Sequence, residues 1–556
     1  MLGVVTRLRP MIRVETLVLV VVAWLVATTN WAWWNAVSAG RDWSHAVNWL
    51  FMGACFVALV SLHFVLIAPV ANRWTIRPLL SLLVVLSAAA SYYMHAFNVI
   101  LDPTMIQNVL RTDRNEAGDL LNVDMAAWIV GWSVLPVAFI WLVRLRRLPA
   151  LRATLTRAGT VVAALVLAVV AVLPISRDIS SFMRNQREAR YLITPANYLW
   201  GLAANSVRDA KDAHTPRESV GTDAHLLRVA LNTPPHVLVL VVGETARAAD
   251  FSLLGYARDT NPELARLGVT AFSAVKSCGT STEISVPCMF SPYGRADYDE
   301  RRIRNSETLL DVLVRAGYRV RWIDNQSGCK GVCKGAGVEY EKIDPKSAPD
   351  LCSDGECHDE VLARRLQAEL PEVRDNTVFV LHMMGNHGPA YFRRYPAAFR
   401  HFVPDCATAE LRDCSREQVV NAYDNAIAYT DHVLASVIAT LSAESARLDT
   451  AMLYVSDHGE SLGEKGLYLH GIPYSIAPEQ QTHVPMILWL SKAITSGDVI
   501  ERCVREKAHA PLSHDNLFHS VLGLLDVGTS AYRADRDVFD GCRGASYRAV
   551  VRADRH

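Results

Sequence analysis

The stretch Ser277-Cys278-Gly279-Thr280-Ser281-Thr282-Glu283-Ile284-Ser285-Val286-Pro287-Cys288 sets hydroxyl groups at a turn between two closely spaced cysteines. A threonine hydroxyl is a weak nucleophile near neutral pH, so such a loop is chemically useful only with a base or a metal ion against it. Glu244, Asp457 and His458 are candidates for holding that metal, with Thr282 as a further oxygen donor. Carboxylates with one imidazole suit Zn2+, and less well Mn2+ or Mg2+. A metal that lowers the pKa of bound water from about 15.7 to about 7 would activate the Thr282 hydroxyl in the same way. His387 and His470 are spare imidazoles for a second metal or for a general acid. A lone histidine of this kind is more often a hydrogen-bonded loop residue, but these groups recur at the ends of strand-like runs.

Those runs begin at Pro235, where short β-rich apolar segments alternate with helical patterns, which predicts an α/β domain with a largely parallel sheet. Residues 237–242 end in Gly243-Glu244-Thr245, and residues 318–323 in Asp324-Asn325-Gln326-Ser327. Residues 377–381 lead to Asn386-His387-Gly388, and residues 451–455 to Ser456-Asp457-His458-Gly459. Ligand sites of open α/β sheets lie beyond the carboxyl ends of the strands, so the four polar clusters are expected to converge.

The 556 residues exceed one typical domain, and a hydrophobic content of 51% places part of the chain in lipid. Lys plus Arg and Asp plus Glu are both 56, so charge offers no argument for nucleic acid. Ten of eleven cysteines lie beyond residue 270, in the close pairs Cys278/Cys288, Cys329/Cys333, Cys352/Cys357 and Cys406/Cys414, leaving Cys503 and Cys542. An even set at short spacings reads as disulfides in an oxidising compartment. The competing reading is a four-thiolate zinc site from Cys329, Cys333, Cys352 and Cys357, although neither spacing is C-x2-C. Cys55 falls in an apolar run and reads as a free thiol.

Residues 16–37, 46–70, 78–97, 126–143 and 158–175 are apolar runs without a Lys, Arg, Asp or Glu, each about 20 residues long and so able to cross a hydrocarbon core. Arg7, Arg9 and Arg13, then Arg73 and Arg77, then Arg144, Arg146, Arg147, Arg152 and Arg157 mark the cytoplasmic loops. Five crossings therefore leave everything after residue 176 outside, the side the cysteines require. A cleaved signal peptide ending near Ala36-Val37-Ser38-Ala39 is the alternative for the first run; its length and Trp31, Trp33 and Trp34 argue against it. His63 and His95 within the runs are read as locally hydrogen-bonded or interfacial rather than as a proton path. The loop at residues 98–125 has amphipathic helix spacing, with Met105, Ile106, Val109 and Leu110 on one side and Gln107, Asn108, Arg111, Thr112 and Glu116 on the other. It suits lipid headgroups or a solvated cap equally. The organisation expected is a membrane domain at 1–176, a bridging segment and linker at 177–234 (the linker itself at 214–232), and a catalytic domain at 235–556.

Several stretches resemble the lipid A phosphoethanolamine transferases, a family that includes the mobile colistin-resistance enzymes and belongs to the alkaline phosphatase/sulfatase superfamily. They are Gly243-Glu244-Thr245-Ala246-Arg247, Gly255-Tyr256-Ala257-Arg258-Asp259-Thr260, Ser277 through Cys288, Asn386-His387-Gly388-Pro389, and Ser456-Asp457-His458-Gly459-Glu460-Ser461-Leu462-Gly463-Glu464 with Leu469-His470-Gly471. The resemblance covers nearly the whole chain. It implies five transmembrane helices in a bacterial inner membrane followed by a periplasmic, alkaline-phosphatase-like α/β domain with disulfides, in a monomer. Thr282 matches the family nucleophile that carries phosphoethanolamine as a covalent intermediate, and Glu244, Asp457 and His458 match its zinc ligands together with Thr282. His387 and His470 match histidines that hold the substrate phosphate or a second zinc, and Lys330 and Ser327 fall where polar groups lie near the phosphoethanolamine. Asn108, Thr112 and Glu116 resemble positions implicated in headgroup binding. One departure is Cys329/Cys333 beside Lys330, a pair that some members lack.

The implied reaction moves phosphoethanolamine from phosphatidylethanolamine to lipid A, with polymyxin resistance as the implied consequence. The alternatives are a core sugar or periplasmic glucan as acceptor, or a sulfatase- or phosphatase-type hydrolase. Sulfatases use C-x-P-x-R to make formylglycine, which Cys288-Met289-Phe290-Ser291-Pro292 does not match. A receptor that had kept only the fold would be expected to have lost at least one of the four site residues.

Overall fold

The structure is a computed structural model that describes residues 10–112, 117–118, 120–212, 215–227, 234–492 and 501–543. It separates into two units, residues 1–110 with 121–208, and residues 111–120 with 209–556.

In the first unit, four of the five expected crossings are continuous helices. In chain order its helices up to residue 172 are α1 (Val14–Thr28), α2 (Trp31–Ser38), α3 (Ala46–Ile67), α4 (Ile76–Ala96), α5 (Pro103–Arg111), α6 (Val123–Leu142) and α7 (Ala150–Val172), and helical segments Ser176–Asn185 and Ala196–Asp212 follow. The first expected run, 16–37, is present as a bent pair: α1 and α2 are together apolar enough for a span and meet at a bend of 59°. The break is written in Thr28, Thr29 and Asn30. Their side chains donate to the carbonyls of Trp24 (2.7 Å), Leu25 (2.8 Å) and Leu25 again (3.1 Å), competing with the backbone N–H groups that would continue the helix. Asn30 also exchanges two hydrogen bonds with the backbone of Thr194, at 2.9 and 2.7 Å. A count of apolar residues is blind to such capping.

α3 packs on α7 and α4 on α6. Val162, Val166, Val169 and Val170 of α7 stay exposed, as a helix bathed in lipid requires. His63 gives its Nδ1 to the Leu59 carbonyl at 2.7 Å, the local bond expected of it, and His95 stacks on Trp128 with ring centroids 5.2 Å apart. The amphipathic pattern in the third loop is realised as α5, which carries Asn108. Thr112 follows it, and Glu116 lies outside the described residues.

The second unit is built on eight strands: β1 (His236–Gly243), β2 (Thr270–Lys276), β3 (Arg319–Asp324), β4 (Val338–Lys342), β5 (Thr377–His382), β6 (Asp449–Ser456), β7 (His483–Leu490) and β8 (Leu512–Ser513). Their order is β8-β2-β7-β6-β1-β5-β3-β4, with β6, β1, β5, β3 and β4 mutually parallel and β7 antiparallel to both neighbours. Seven of the eight β1 residues are buried, because a central parallel strand is covered on both faces and must be apolar throughout. The edge strand β4 carries charged side chains, as exposed edges commonly do, with Glu339 and Glu341 ion-paired to Arg319, Arg321 and Arg365. The four expected runs are thus β1, β3, β5 and β6, adjacent in one parallel block, and their carboxyl ends lie side by side. The helices that matter below are α8 (Thr282–Met289), α9 (Glu360–Glu369) and α10 (Arg416–Ala443). α10 is long and apolar enough to span a membrane, but 67% of its most apolar window is buried inside the protein, so it is a core helix.

The expected disulfides Cys278–Cys288, Cys329–Cys333, Cys352–Cys357, Cys406–Cys414 and Cys503–Cys542 all form, and Cys55 is free and buried. That removes the four-thiolate zinc alternative. The two ends of the fourth bridge differ in surroundings: Cys406 is buried, whereas Cys414 stays half-exposed where the chain enters α10. This bridge therefore ties a surface loop to the interior rather than joining two core segments. Cys278–Cys288 ties the turn before α8 to its last turn, so Cys278→Ser is expected to cost about 2–3 kcal/mol, read from urea unfolding of the intact chain. The expected linker 214–232 is in part no free linker. Glu218 bridges Ser306, and His225–Leu226 pairs antiparallel with Val527–Gly528. Polar composition cannot show that a segment's backbone is paired.

Candidate active site

Glu244 immediately follows β1, Asp457 and His458 follow β6, and Thr282 opens α8. The Thr282 hydroxyl donates to Glu244 Oε2 at 3.0 Å and Oε1 at 3.2 Å, and lies 3.4 Å from His458 Nε2. That same nitrogen is 3.4 Å from Glu244 Oε1 and from Asp457 Oδ2. One ligand atom each from Glu244, Asp457 and His458 lies within 4.8 Å of the others, the one such group of three among the described residues.

The orientation of each group is set by its neighbours. Asp457 Oδ1 accepts the backbone N–H groups of Thr245 (3.1 Å) and His458 (2.7 Å), which leaves Oδ2 buried without a hydrogen-bond partner. His458 Nδ1 bonds the Gly459 carbonyl at 2.9 Å, which turns Nε2 toward the carboxylates. Two carboxylates and one imidazole around an orphaned buried oxygen fit a divalent ion of the zinc type.

Burial would raise Glu244, yet the adjacent His458 holds it well below the usual carboxylate range. Asp457 is pushed up to about 7 by burial and then by Glu244. Burial would lower His458, but Asp457 and Glu244 hold it up to about 10. Its folded value therefore lies above its ordinary 6.5, so its contribution to metal-free stability is full below that pH and is lost as pH climbs toward about 10. Metal coordination needs the neutral imidazole. The metal-free protein is expected to lose stability from His458 across this window while the Zn2+-loaded protein is flatter, checked by thermal melts at several pH values with chelator or Zn2+.

His387 and His470 stand beside this group, with ring centroids 5.6 Å apart and His470 4.4 Å from His458. Burial, opposed by Glu244, lowers His387 to about 3, so its imidazole is neutral at physiological pH. The end of β3 brings in the other expected groups as a relay. Lys330 donates to Ser327 Oγ at 2.5 Å, Ser327 Oγ donates to Gln326 Oε1 at 2.6 Å, and Gln326 Nε2 donates to Glu244 Oε2 at 3.1 Å. Asn108 belongs to the first unit.

Sequence reasoning passed over Gln326 and Glu460. Gln326 sits in the polar cluster after β3, a signal that was visible. Glu460 is buried and puts Oε2 3.4 Å from His470 Nδ1, and nothing in its spacing announces that pairing.

The sheet and the group at its strand ends define a sulfatase-type domain, and residues 236–527 match the family model described as Sulfatase. Residues 59–209 match the model described as Phosphoethanolamine transferase EptA/EptB. The chain is 39% identical over 480 residues to the phosphoethanolamine transferase EptA of Salmonella typhimurium, covering 85% of this chain and 87% of that one. It is 35% identical over 532 residues to the phosphatidylethanolamine transferase Mcr-1 of Escherichia coli, covering 94% and 96%. Among solved structures, the integral membrane lipooligosaccharide phosphoethanolamine transferase A of Neisseria meningitidis superposes with a TM-score of 0.89 at 36% identity, covering 96% of this chain and 99% of that one. The chain belongs to the phosphoethanolamine transferase family.

Proposed function

We propose that this protein transfers phosphoethanolamine from phosphatidylethanolamine to lipid A through a phospho-threonine at Thr282, with one Zn2+ held by Glu244, Asp457, His458 and Thr282. The observation that carries the reading is the Thr282 hydroxyl 3.0 Å from Glu244 and 3.4 Å from His458, at the first turn of a disulfide-clamped helix. Relatives named phosphoethanolamine and phosphatidylethanolamine transferases support the transferred group, and one named a Kdo(2)-lipid A phosphoethanolamine 7''-transferase supports a lipid A-type acceptor. The bound ion supplies charge stabilisation and a more acidic Thr282 hydroxyl.

The remaining chemistry belongs to the chain. Thr282 Oγ1 gives up its proton to the site as it forms a bond to phosphorus, the bond from phosphorus to the diacylglycerol oxygen breaks, and that oxygen takes the proton up. An acceptor phosphate oxygen then attacks the same phosphorus, and the Thr282 oxygen leaves and is reprotonated from the site. Splitting the transfer into two displacements lowers each barrier. In this reading His470, whose Nδ1 lies 3.4 Å from Glu460 Oε2, gives and takes the proton, and His387, neutral at physiological pH, binds a phosphate oxygen. Lys330, at the end of the relay to Glu244, offsets charge on the non-bridging oxygens. The domain works in the periplasm on a multi-pass inner-membrane anchor, and the α5 region with Asn108, Thr112 and Glu116 meets lipid headgroups. A monomeric state completes the reading, and a second Zn2+ at His387 and His470 is the alternative to their roles in phosphate binding and proton transfer.

The test is mass spectrometry of lipid A and core from a Gram-negative host lacking its own such enzymes, with and without this chain. Phosphoethanolamine on a lipid A phosphate is expected. Its appearance on core sugars alone keeps the mechanism and moves the acceptor, and its absence from both favours a glucan acceptor or a hydrolase. Adding ethanolamine to a phosphate lowers the negative surface charge, so weaker binding of polycationic peptides follows.

A further inference from the structure

Asp359, at the N-terminal end of α9, is buried on the side of the sheet where the clusters after β3 and β5 meet, and neither the metal group nor the proposed chemistry uses it. Its oxygens are committed elsewhere. Oδ1 accepts from Asn325 Nδ2 at 2.8 Å and from the Met384 N–H at 2.8 Å, and Oδ2 accepts from the Gly385 N–H at 2.7 Å. One carboxylate thus joins the loop after β3 to the loop after β5.

Both loops close on Glu244. On one side, Asn325 is followed by Gln326, whose Nε2 donates to Glu244 Oε2 at 3.1 Å. On the other, the Gly385 backbone, at φ +56°, passes so close that an added Cβ would lie 2.5 Å from the Glu244 carbonyl oxygen and 2.9 Å from its nitrogen. The next residue, Asn386, donates its N–H to that carbonyl at 3.0 Å. The anchor is itself restrained: Asn325 Nδ2 also donates at 2.9 Å to the carbonyl of Cys357, which precedes Asp359 by two residues and is bonded to Cys352.

Taken together, the geometry points to Asp359 as a positioning residue for Glu244: with the Cys352–Cys357 hairpin it fixes Asn325–Gln326 and Gly385, and these set which way the Glu244 carboxylate faces. A partner one step behind a metal ligand, as Gln326 is to Glu244, changes affinity or turnover by about 10–100-fold when altered, and Asp359 acts through that partner. Three donors converge on Asp359, and a donor-bearing amide at this position would oppose an N–H group.

The inference rests on the reading of Glu244 as a metal ligand, and the experiment keeps the two separable. Full-length Asp359→Asn, Gln326→Leu and the double variant are titrated with Zn2+ against a competing chelator, and donor turnover is followed as diacylglycerol release. Expected are a 10–100-fold loss of Zn2+ affinity or kcat in each single variant with KM for phosphatidylethanolamine unchanged, and a double variant close to the worse single, the mark of two residues acting as one unit. Multiplying losses, or unaltered Zn2+ affinity and kcat in Asp359→Asn, would overturn it. If wild-type protein binds no Zn2+, the reading of Glu244 itself falls, and the assignment of Asp359 with it. Should Asp359→Asn not fold, Asn325→Ala, which removes the side-chain bonds to Asp359 and to the Cys357 carbonyl and leaves the Asp359 bonds to Met384 and Gly385, is carried through the same titration: a 10–100-fold loss supports the assignment, and unaltered Zn2+ affinity and kcat overturn it.

Discussion

Replacing Thr282 by alanine is expected to abolish transfer, lowering turnover by roughly 10⁴-fold or more, the scale seen when a catalytic nucleophile is removed. The hydroxyl is the only atom the side chain contributes to the buried group, where it bonds both oxygens of Glu244 and approaches His458. Without it the phosphoryl group has no atom to occupy, and both displacements are lost together. Folding is expected to survive, since alanine suits the first turn of α8 and the helix stays held by Cys278–Cys288. Lipid A carrying phosphoethanolamine in cells expressing folded Thr282→Ala would refute the covalent route. Intact-protein mass spectrometry adds a second check: the phosphoethanolamine adduct should map to Thr282 in wild type and vanish in the variant.

His458→Ala carries the other large effect. Its Nε2 is the point where Thr282, Glu244 and Asp457 meet, each at 3.4 Å. Removing it leaves two buried carboxylates, with Asp457 already raised to about 7 by burial and Glu244, and no imidazole to offset them. The ion is expected to be lost from purified protein, measured by elemental analysis. A bound metal's charge stabilisation amounts to several kcal/mol, so transfer should drop on the order of 10³-fold or more. A variant that keeps stoichiometric zinc and full activity would show that the ion sits elsewhere.

Much of this was legible in the residues. The four apolar runs before Glu244, Gln326, His387 and Asp457 are strand-like at short range, and the rule that ligands gather at carboxyl strand ends places their polar tails together. The cysteine pairs were readable because short loops favour local pairing, although spacing does not tell that Cys406 is buried while Cys414 keeps to the surface. The break inside the first membrane run was not legible, because its composition stays apolar while Thr28, Thr29 and Asn30 turn their side chains back onto the helix. Part of the expected linker misled, because its pairing partners Ser306 and Val527 lie about a hundred and about three hundred residues away.

The sequence by itself determined the kinds of group available: hydroxyls, carboxylates and imidazoles after strand-like runs, closely paired cysteines and apolar runs long enough for a membrane anchor, all properties of residue type and local period. Tertiary structure alone decided which atoms face one another. That β6, β1, β5 and β3 are neighbours puts Asp457, Glu244, His387 and Gln326 at one edge, where Gln326 bonds the Glu244 carboxylate and the Thr245 backbone bonds Asp457. Such bonds join residues tens to hundreds of positions apart through single atoms, and no periodicity or spacing records them, because the free energy that fixes them comes from burial of the whole sheet.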